Sequence, residues 1–216
     1  MPEVIVRNLP FLLAGLLITA ELAALTAVGG TLLGLAIGIT RHLRIPVLSR
    51  LCGVYVGFIQ GTPLLVVLFI CYFAIPALFG YQTTAYRAAL LGFILFIAAY
   101  LAEDFRAGLN SVRPSLVNAG LATGLTPWQV MRLIVLPQAV RRVIPALFNQ
   151  YVRLFKFTSV ASVIGVTEFT GGAMLVNGRE FAPVTILLTV ALTYLVLCYG
   201  ISLAGRLLFR RLAIET

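Results

Sequence analysis

The sequence predicts an all-α, polytopic membrane protein with five transmembrane helices, folded as one domain over residues 1–216. Hydrophobic residues make up 61% of the chain and the mean hydropathy is +1.04, whereas soluble domains are about 45–50% apolar. The apolar runs are long and continuous, without the alternation typical of membrane β-strands. Because backbone polar groups that face lipid must be satisfied within the segment, we expect these runs to be helices.

The five predicted spans are the five longest apolar segments, at about residues 9–40, 62–80, 86–105, 143–166 and 181–208. At ~1.5 Å per residue the first is longer than a ~30 Å hydrocarbon core, so we expect it to tilt or project. The second is preceded by Gly61-Thr62-Pro63. Thr62 suits an N-cap and Pro63 the first helical position, and residues 47–60 would then form an interfacial helix. The fourth span is the most polar.

The arginines predict the orientation of the chain in the membrane. Eleven lie between spans one and two, between spans three and four, or after span five: Arg41, Arg44, Arg50, Arg106, Arg113, Arg132, Arg141, Arg142, Arg206, Arg210 and Arg211. Only Arg7, Arg87 and Arg179 fall on the other side. Cytoplasmic loops are enriched in such cations, so the N-terminus is predicted outside and the C-terminus in the cytoplasm. The net charge of +9 is therefore assigned to topology, and no nucleic-acid partner is expected.

The segment of about residues 113–137 is too polar and too rich in helix breakers to cross a bilayer. Thr126-Pro127-Trp128-Gln129 forms a capping-box pattern with proline at the first helical position. Gly124 suits a left-handed cap that ends a preceding helix. We therefore predict short helices at about 116–123 and 127–136. An elbow without a partner and a docking surface for another protein both fit this pattern.

The same segment carries a family resemblance. NAG-LAT-G-LTPWQVMRLIVLP resembles the cytoplasmic EAA loop of ABC-transporter permease subunits. The stretches QGTPLLVVLF, AYLAEDFRAGLNSV and LPQAVRRVIPALFNQYVRLFKFTSVASVIGV resemble further elements of the permeases of polar amino-acid uptake, in the same order. The resemblance covers about residues 10–210. It implies five spans, an outside N-terminus, and a multi-pass subunit of an ATP-driven importer in the bacterial cytoplasmic membrane.

The resemblance also implies partners. A dimer of ATP-binding subunits would dock on the loop at Asn118, Ala119, Gly120, Gly124 and Leu125. An extracytoplasmic amino-acid-binding protein would deliver substrate, and a second permease subunit would complete a homodimer or a heterodimer. The chain has no P-loop pattern, so ATP and Mg²⁺ are assigned to the partner, and no enzyme activity and no cofactor are expected here. Asn118 stands where the family usually has glutamate, which predicts weaker coupling or coupling shared with another subunit.

A polar cluster at membrane depth is the predicted translocation pathway. Asn149, Arg153 and Lys156 share one helical face, and Gln150, Arg153 and Phe157 share its neighbour; snorkelling to the interface is the alternative. The remaining candidates are Thr62, Glu103, Arg106, Thr158 and Ser159. Glu103 and Arg106 form either a structural pair or part of the recognition site. The family often has acids at positions 150 and 157 and a small residue at 153, so this more positive site predicts a neutral or acidic amino acid rather than a cationic one.

Other functions are weighed on the same residues. An ion-coupled secondary transporter usually shows internal repeats or several embedded carboxylates, whereas only Glu21 lies mid-span here. An intramembrane enzyme needs a nucleophile–base pair or a metal cluster, and the single His42 lies in a basic loop. Cys52, Cys71 and Cys198 lie in apolar runs and are predicted to be buried thiols rather than disulfides or metal ligands. Glu168 is expected to stabilise an extracellular gate or to meet a binding protein.

Overall fold

The computed structural model of the chain describes residues 2–212, and every regular element in that range is helical. The ten α-helices of this range are α1 Pro2–His42, α2 Leu48–Gly61, α3 Leu64–Phe69, α4 Ile75–Phe79, α5 Ala85–Asn110, α6 Pro114–Ala122, α7 Pro127–Val130, α8 Leu136–Phe157, α9 Phe169–Glu180 and α10 Pro183–Leu212. Two π-helical turns, Ile70–Ala74 and Met131–Val135, and one 3₁₀ segment, Thr158–Ile164, connect neighbouring helices.

Among the described residues, three helices are long and apolar enough to cross a membrane: α1, α5 and α10. Two further segments are long and apolar enough only if the two helices on either side of a bend are taken as one span. The axis of Leu48–Gly61 differs by 113° from that of Leu64–Phe79, and Pro127–Ile164 differs by 50° from Phe169–Glu180. The chain therefore has three to five candidate spans, depending on whether each bent pair counts as one.

Small residues allow α1 to pack closely against α5. Gly30, Gly34 and Gly38 recur every four residues along one face of α1, the spacing that brings helix backbones together in membranes. A Cβ atom at Gly34 would lie 2.8 Å from Leu101 Cβ and 3.0 Å from the carbonyl oxygen of Ala98. Gly30 lies against Ile97 and Gly38 against Phe105, so the contacts advance along both helices in the same direction and α1 and α5 run parallel.

Helix α8 runs antiparallel to α5. Gly108, near the end of α5, packs directly on Val143 near the start of α8, where a Cβ atom at position 108 would collide with Val143 Cγ2. At the other end of the contact, the rings of Phe96 and Phe157 meet edge to face at 5.8 Å. This arrangement places residues 100–104 of α5 beside residues 150–154 of α8. Helix α10 also packs on α8, with Gly205 against Phe148.

Prolines explain the two π-helical turns. Each turn directly precedes a helix with proline in its first turn, Pro76 in α4 and Pro137 in α8. Proline has no N–H and its ring clashes with the carbonyl four residues earlier, and a widened turn accommodates both defects. The prediction that a separate helix ends near Leu136 was therefore wrong, because α7 continues through the π turn into α8.

Two further expectations differ from the structure. Thr62 is not the N-cap of the second apolar segment: α3 begins at Leu64 with Pro63 as its N-cap, and Thr62 ends α2, donating its hydroxyl to the carbonyl of Phe58 at 2.7 Å. No helix is predicted between the fourth and fifth apolar segments, whereas the structure has the twelve-residue helix α9 there.

Candidate functional site

Helices α6 and α7 form a hairpin, residues 114–130, at the end of the bundle that carries His42. The capping box is confirmed: Thr126 Oγ1 accepts from the backbone N–H of Gln129, and Gln129 Oε1 accepts from that of Thr126. Gly124 has φ +86°, which confirms the left-handed position. Beneath the hairpin, Val112, Val130 and Val135 form a small buried cluster. The hairpin is therefore an ordered element that is supported by its own small core.

The outer surface of the hairpin carries small side chains next to large apolar ones. Asn118, Ala119 and Gly124 are exposed, and Leu125 is half-buried. Several large apolar side chains are exposed beside them, namely Leu116, Leu121, Trp128 and Leu133, with Trp128 69% exposed. Clustered apolar exposure of this kind is typical of an interaction surface.

Gly120 was predicted to contact a partner subunit, but the structure places it inside the hairpin. It is buried, and a Cβ there would lie 2.6 Å from Ile134 Cδ1 and 3.1 Å from Val130 Cγ2. Its missing side chain lets α6 lie against α7 and the π turn that follows. The physical role of this glycine is to close the hairpin from within.

Glu103 ties α1 to α5 near the same end. Its Oε2 accepts from Arg106 Nε at 2.9 Å and Nη2 at 2.7 Å, and its Oε1 accepts from Arg41 Nη1. Both carboxylate oxygens are thus occupied by arginines of this chain. Of the two alternatives, this geometry favours the structural pair, with Arg41 as a third member that the sequence pattern did not reveal.

Three predicted pathway residues come together where α8 faces α5. Gln150 Nε2 donates to Asp104 Oδ2 at 2.8 Å. The Arg153 guanidinium lies 5.8 Å from the centroid of the Tyr100 ring, and Phe157 packs on Phe96, which in turn packs on Tyr100. We call Tyr100, Asp104, Gln150, Arg153 and Phe157 the α5–α8 polar face. The sequence pattern did not single out Asp104 and Tyr100, although both lie within the motif AYLAEDFRAGLNSV.

The other predicted residues lie elsewhere. Asn149 lines a groove between α8 and α10, and Lys156 is exposed on the outside of α8. Thr158 is fully buried and donates its hydroxyl to the carbonyl of Phe155, so it does not face an open pathway as predicted. Ser159 likewise donates to the carbonyl of Lys156. Both hydroxyls stabilise the change from α- to 3₁₀-helix.

Glu168 is a fully buried carboxylate that joins three helices. As N-cap of α9 it accepts from the backbone N–H groups of Thr170 and Gly171, both at 2.9 Å. The hydroxyls of Thr19 in α1 and Tyr194 in α10 donate to its Oε2 at 3.1 and 3.2 Å. An ionised carboxylate is an acceptor only, and all four partners donate. This network holds α9 against α1 and α10.

The chain is thus a helical bundle with three to five candidate membrane spans, an exposed hairpin with its own core and a polar face between α5 and α8. The family model described as "binding-protein-dependent transport system inner membrane component" matches residues 30–214. The chain belongs to this family of permease subunits.

Similar proteins support the assignment over nearly the whole length. The chain is 36% identical over 193 residues to the probable amino-acid ABC transporter permease protein YckA of Bacillus subtilis, covering 89% of this chain and 85% of the relative. It is 35% identical over 205 residues to the probable glutamine ABC transporter permease protein GlnP of the same organism, covering 93% of each. A crystal structure described as an amino acid ABC transporter with histidines superposes with a TM-score of 0.91 at 30% identity, covering 96% of both chains.

Proposed function

We propose that the chain is the permease subunit of an ATP-driven importer for a polar amino acid in the bacterial cytoplasmic membrane. The observation that carries the proposal is the α6–α7 hairpin, an exposed apolar surface in a chain of the binding-protein-dependent permease family. Amino-acid transport is the function named for the relatives that cover most of the chain. ATP and Mg²⁺ bind to a separate ATPase dimer, and a binding protein delivers the substrate.

The proposed topology has five spans, with each bent helix pair counted as one. The N-terminus is outside and the C-terminus and hairpin are in the cytoplasm. Arginines of three helices lie at the hairpin end: Arg41 of α1 contacts Glu103 beside Arg106 of α5, and Arg142 of α8 donates to the carbonyl of Ser111. This clustering agrees with the excess of positive charge expected on the cytoplasmic side.

Coupling is proposed to act through the exposed residues of the hairpin. Asn118, Ala119 and Gly124 present little side-chain volume, so a groove on the ATPase subunit can approach the backbone closely. The rigid core of Val112, Val130 and Val135 transmits movement of the docked subunit into α8, since α7 is continuous with α8. Closure of two ATPase subunits on ATP then moves the α8 helices of two permease subunits, identical or different.

The proposed substrate is a neutral or acidic amino acid. Arg153 is exposed on the α5–α8 polar face, and a cationic side chain placed near it is repelled. Phe157 contributes an apolar ring.

Affinity purification tests the coupling surface. We expect the tagged chain to retain its ATPase subunit, and Ala119→Trp to lose most of it, because the indole fills the space next to the exposed backbone. Ala77→Trp is the matched control, since Ala77 is also exposed but lies in α4, away from the hairpin. Equal ATPase recovery with both variants would refute docking at the hairpin.

A further inference from the structure

We propose that the α5–α8 polar face binds the backbone of an α-amino acid as a zwitterion, with Arg153 as the carboxylate partner and Asp104 as the ammonium partner, and that it selects an uncharged side chain. This inference rests on the proposed function and specifies its substrate class. It assigns Asp104 and Tyr100 a role that the sequence motifs did not.

The charge distribution around Asp104 separates it from its neighbour Glu103. Glu103 is neutralised by Arg41 and Arg106, which use both of its oxygens. Asp104 forms no ion pair with any side chain that the structure describes; its observed partner is the neutral amide of Gln150. A half-buried carboxylate with only a neutral partner lacks the compensating cation that such a charge requires. An ammonium group supplies it.

Gln150 adds a second acceptor at the same place. Its Nε2 donates to Asp104, whereas its Oε1 is buried and accepts no hydrogen bond from the described part of the chain. A buried acceptor without a donor is costly. An ammonium group carries three donors, so one placed between these side chains satisfies Asp104 and, after a small rotation of the amide, Gln150 as well.

Arg153 lies about one helical turn from this pair. Gln150 and Arg153 are three residues apart on α8, and Tyr100 and Asp104 are four apart on α5, so both pairs lie on facing surfaces. Arg153 is exposed, rests over the Tyr100 ring, and forms no ion pair within the described residues. Its planar guanidinium is suited to a carboxylate. Residues three or four apart on a helix are separated by about 5–6 Å along its axis, so Arg153 and Asp104 lie about one turn apart on facing helices, and an amino acid carries its ammonium and carboxylate groups on one carbon atom.

Aromatic residues of the same face define which substrate side chains are preferred. Phe157 lies one turn beyond Arg153, and its ring contacts Phe96, which packs on Tyr100 at 5.1 Å between centroids. A side chain that extends from the bound backbone towards Phe157 meets aromatic surface. A charge of either sign there meets aromatic surface and has no partner of its own, because Asp104 is already used by the ammonium group and Arg153 by the carboxylate. Uncharged side chains are therefore favoured.

Isothermal titration tests the assignment. The complex of the chain with its ATPase subunit, purified without a binding protein, is titrated with the twenty common amino acids, and the titration is repeated on the chain alone. The tightest ligand is expected to have an uncharged side chain. Arg153→Gln and Asp104→Asn are each expected to weaken its binding about ten- to hundredfold, as expected for loss of a charge-assisted hydrogen bond. The control Arg87→Gln, exposed near the start of α5, is expected to bind as the wild type does.

Two analogues of that ligand identify which residue holds which group. The amine that lacks the carboxylate is expected to bind wild type at least tenfold more weakly, yet to bind Arg153→Gln as well as the full amino acid does. The carboxylic acid that lacks the amino group is expected to bind wild type at least tenfold more weakly, yet to bind Asp104→Asn as well as the full amino acid does. A cationic tightest ligand, binding unchanged in both variants, or no binding in either preparation would overturn the inference. ATP-dependent uptake that persists alongside such a result would leave the proposed function standing, whereas loss of uptake in the wild type would refute the function itself.

Discussion

The buried carboxylate of Glu168 is expected to dominate the stability of the contact between α1, α9 and α10. In the wild type, four donors are shared between the two carboxylate oxygens of Glu168. Glu168→Gln keeps the size of the side chain but leaves only one acceptor oxygen for these four donors. At least one buried donor, the N–H of Gly171 or those around Oε2, then faces the amide NH₂. An unpaired buried donor costs about 1–3 kcal/mol, and the remaining bonds lose their charge assistance. We expect a total loss of about 2–4 kcal/mol.

Thermal unfolding of the purified chain measures this loss. At ~2–4 °C per kcal/mol for a chain of this size, Glu168→Gln is expected to lower Tm by roughly 5–15 °C. The matched control is Glu180→Gln at the other end of α9. Glu180 pairs with Arg7, whose side chain is 68% exposed, so its replacement is expected to change Tm little. A Glu168→Gln chain as stable as the Glu180→Gln chain would show that the buried network does not hold these helices together.

Three further predictions concern helix packing and the hairpin. Gly34→Ala should lower Tm, since overpacking typically costs about 1–3 kcal/mol, whereas Gly53→Ala, with open space around it, should be neutral or stabilising; the reverse order would contradict the α1–α5 contact. Thr126→Ala should cost about 1 kcal/mol of hairpin stability and reduce ATPase recovery in affinity purification, while Thr126→Ser restores it; equal recovery for both would count against the cap. Fluorescence of Trp128, the single tryptophan, should be quenched by aqueous iodide and not by brominated lipid, and quenching by the lipid would place the hairpin in the bilayer.

Features that depend on neighbouring residues were predictable from the sequence. The cap at Thr126 and the left-handed Gly124 are set by interactions across three or four residues, and both were found where the pattern indicated. The second apolar segment was also expected to begin after a break, but its first turn was placed one residue too early. Pro63 has ψ 139°, outside the helical range, and so precedes the helix rather than opening it.

Features that depend on distant residues were not predictable. Gly120 faces inward because Ile134 packs against it, and Asp104 joins the polar face because Gln150, 46 residues away, reaches it. Helix α9 was missed for a related reason. Its first turns contain Gly171 and Gly172, which disfavour a helix, and its cap is a glutamate rather than one of the usual capping residues. The contacts of Glu168 with α1 and α10 compensate for this weak local preference.

Uptake of radiolabelled amino acids into proteoliposomes tests the central claim most directly. Vesicles that contain the chain with its ATPase subunit and binding protein are predicted to accumulate an amino acid only when ATP is supplied on the hairpin side. Vesicles that contain the chain alone are predicted to accumulate none, with or without a proton gradient. Accumulation by the chain alone, driven by that gradient, would contradict the assignment as an ATP-driven permease subunit.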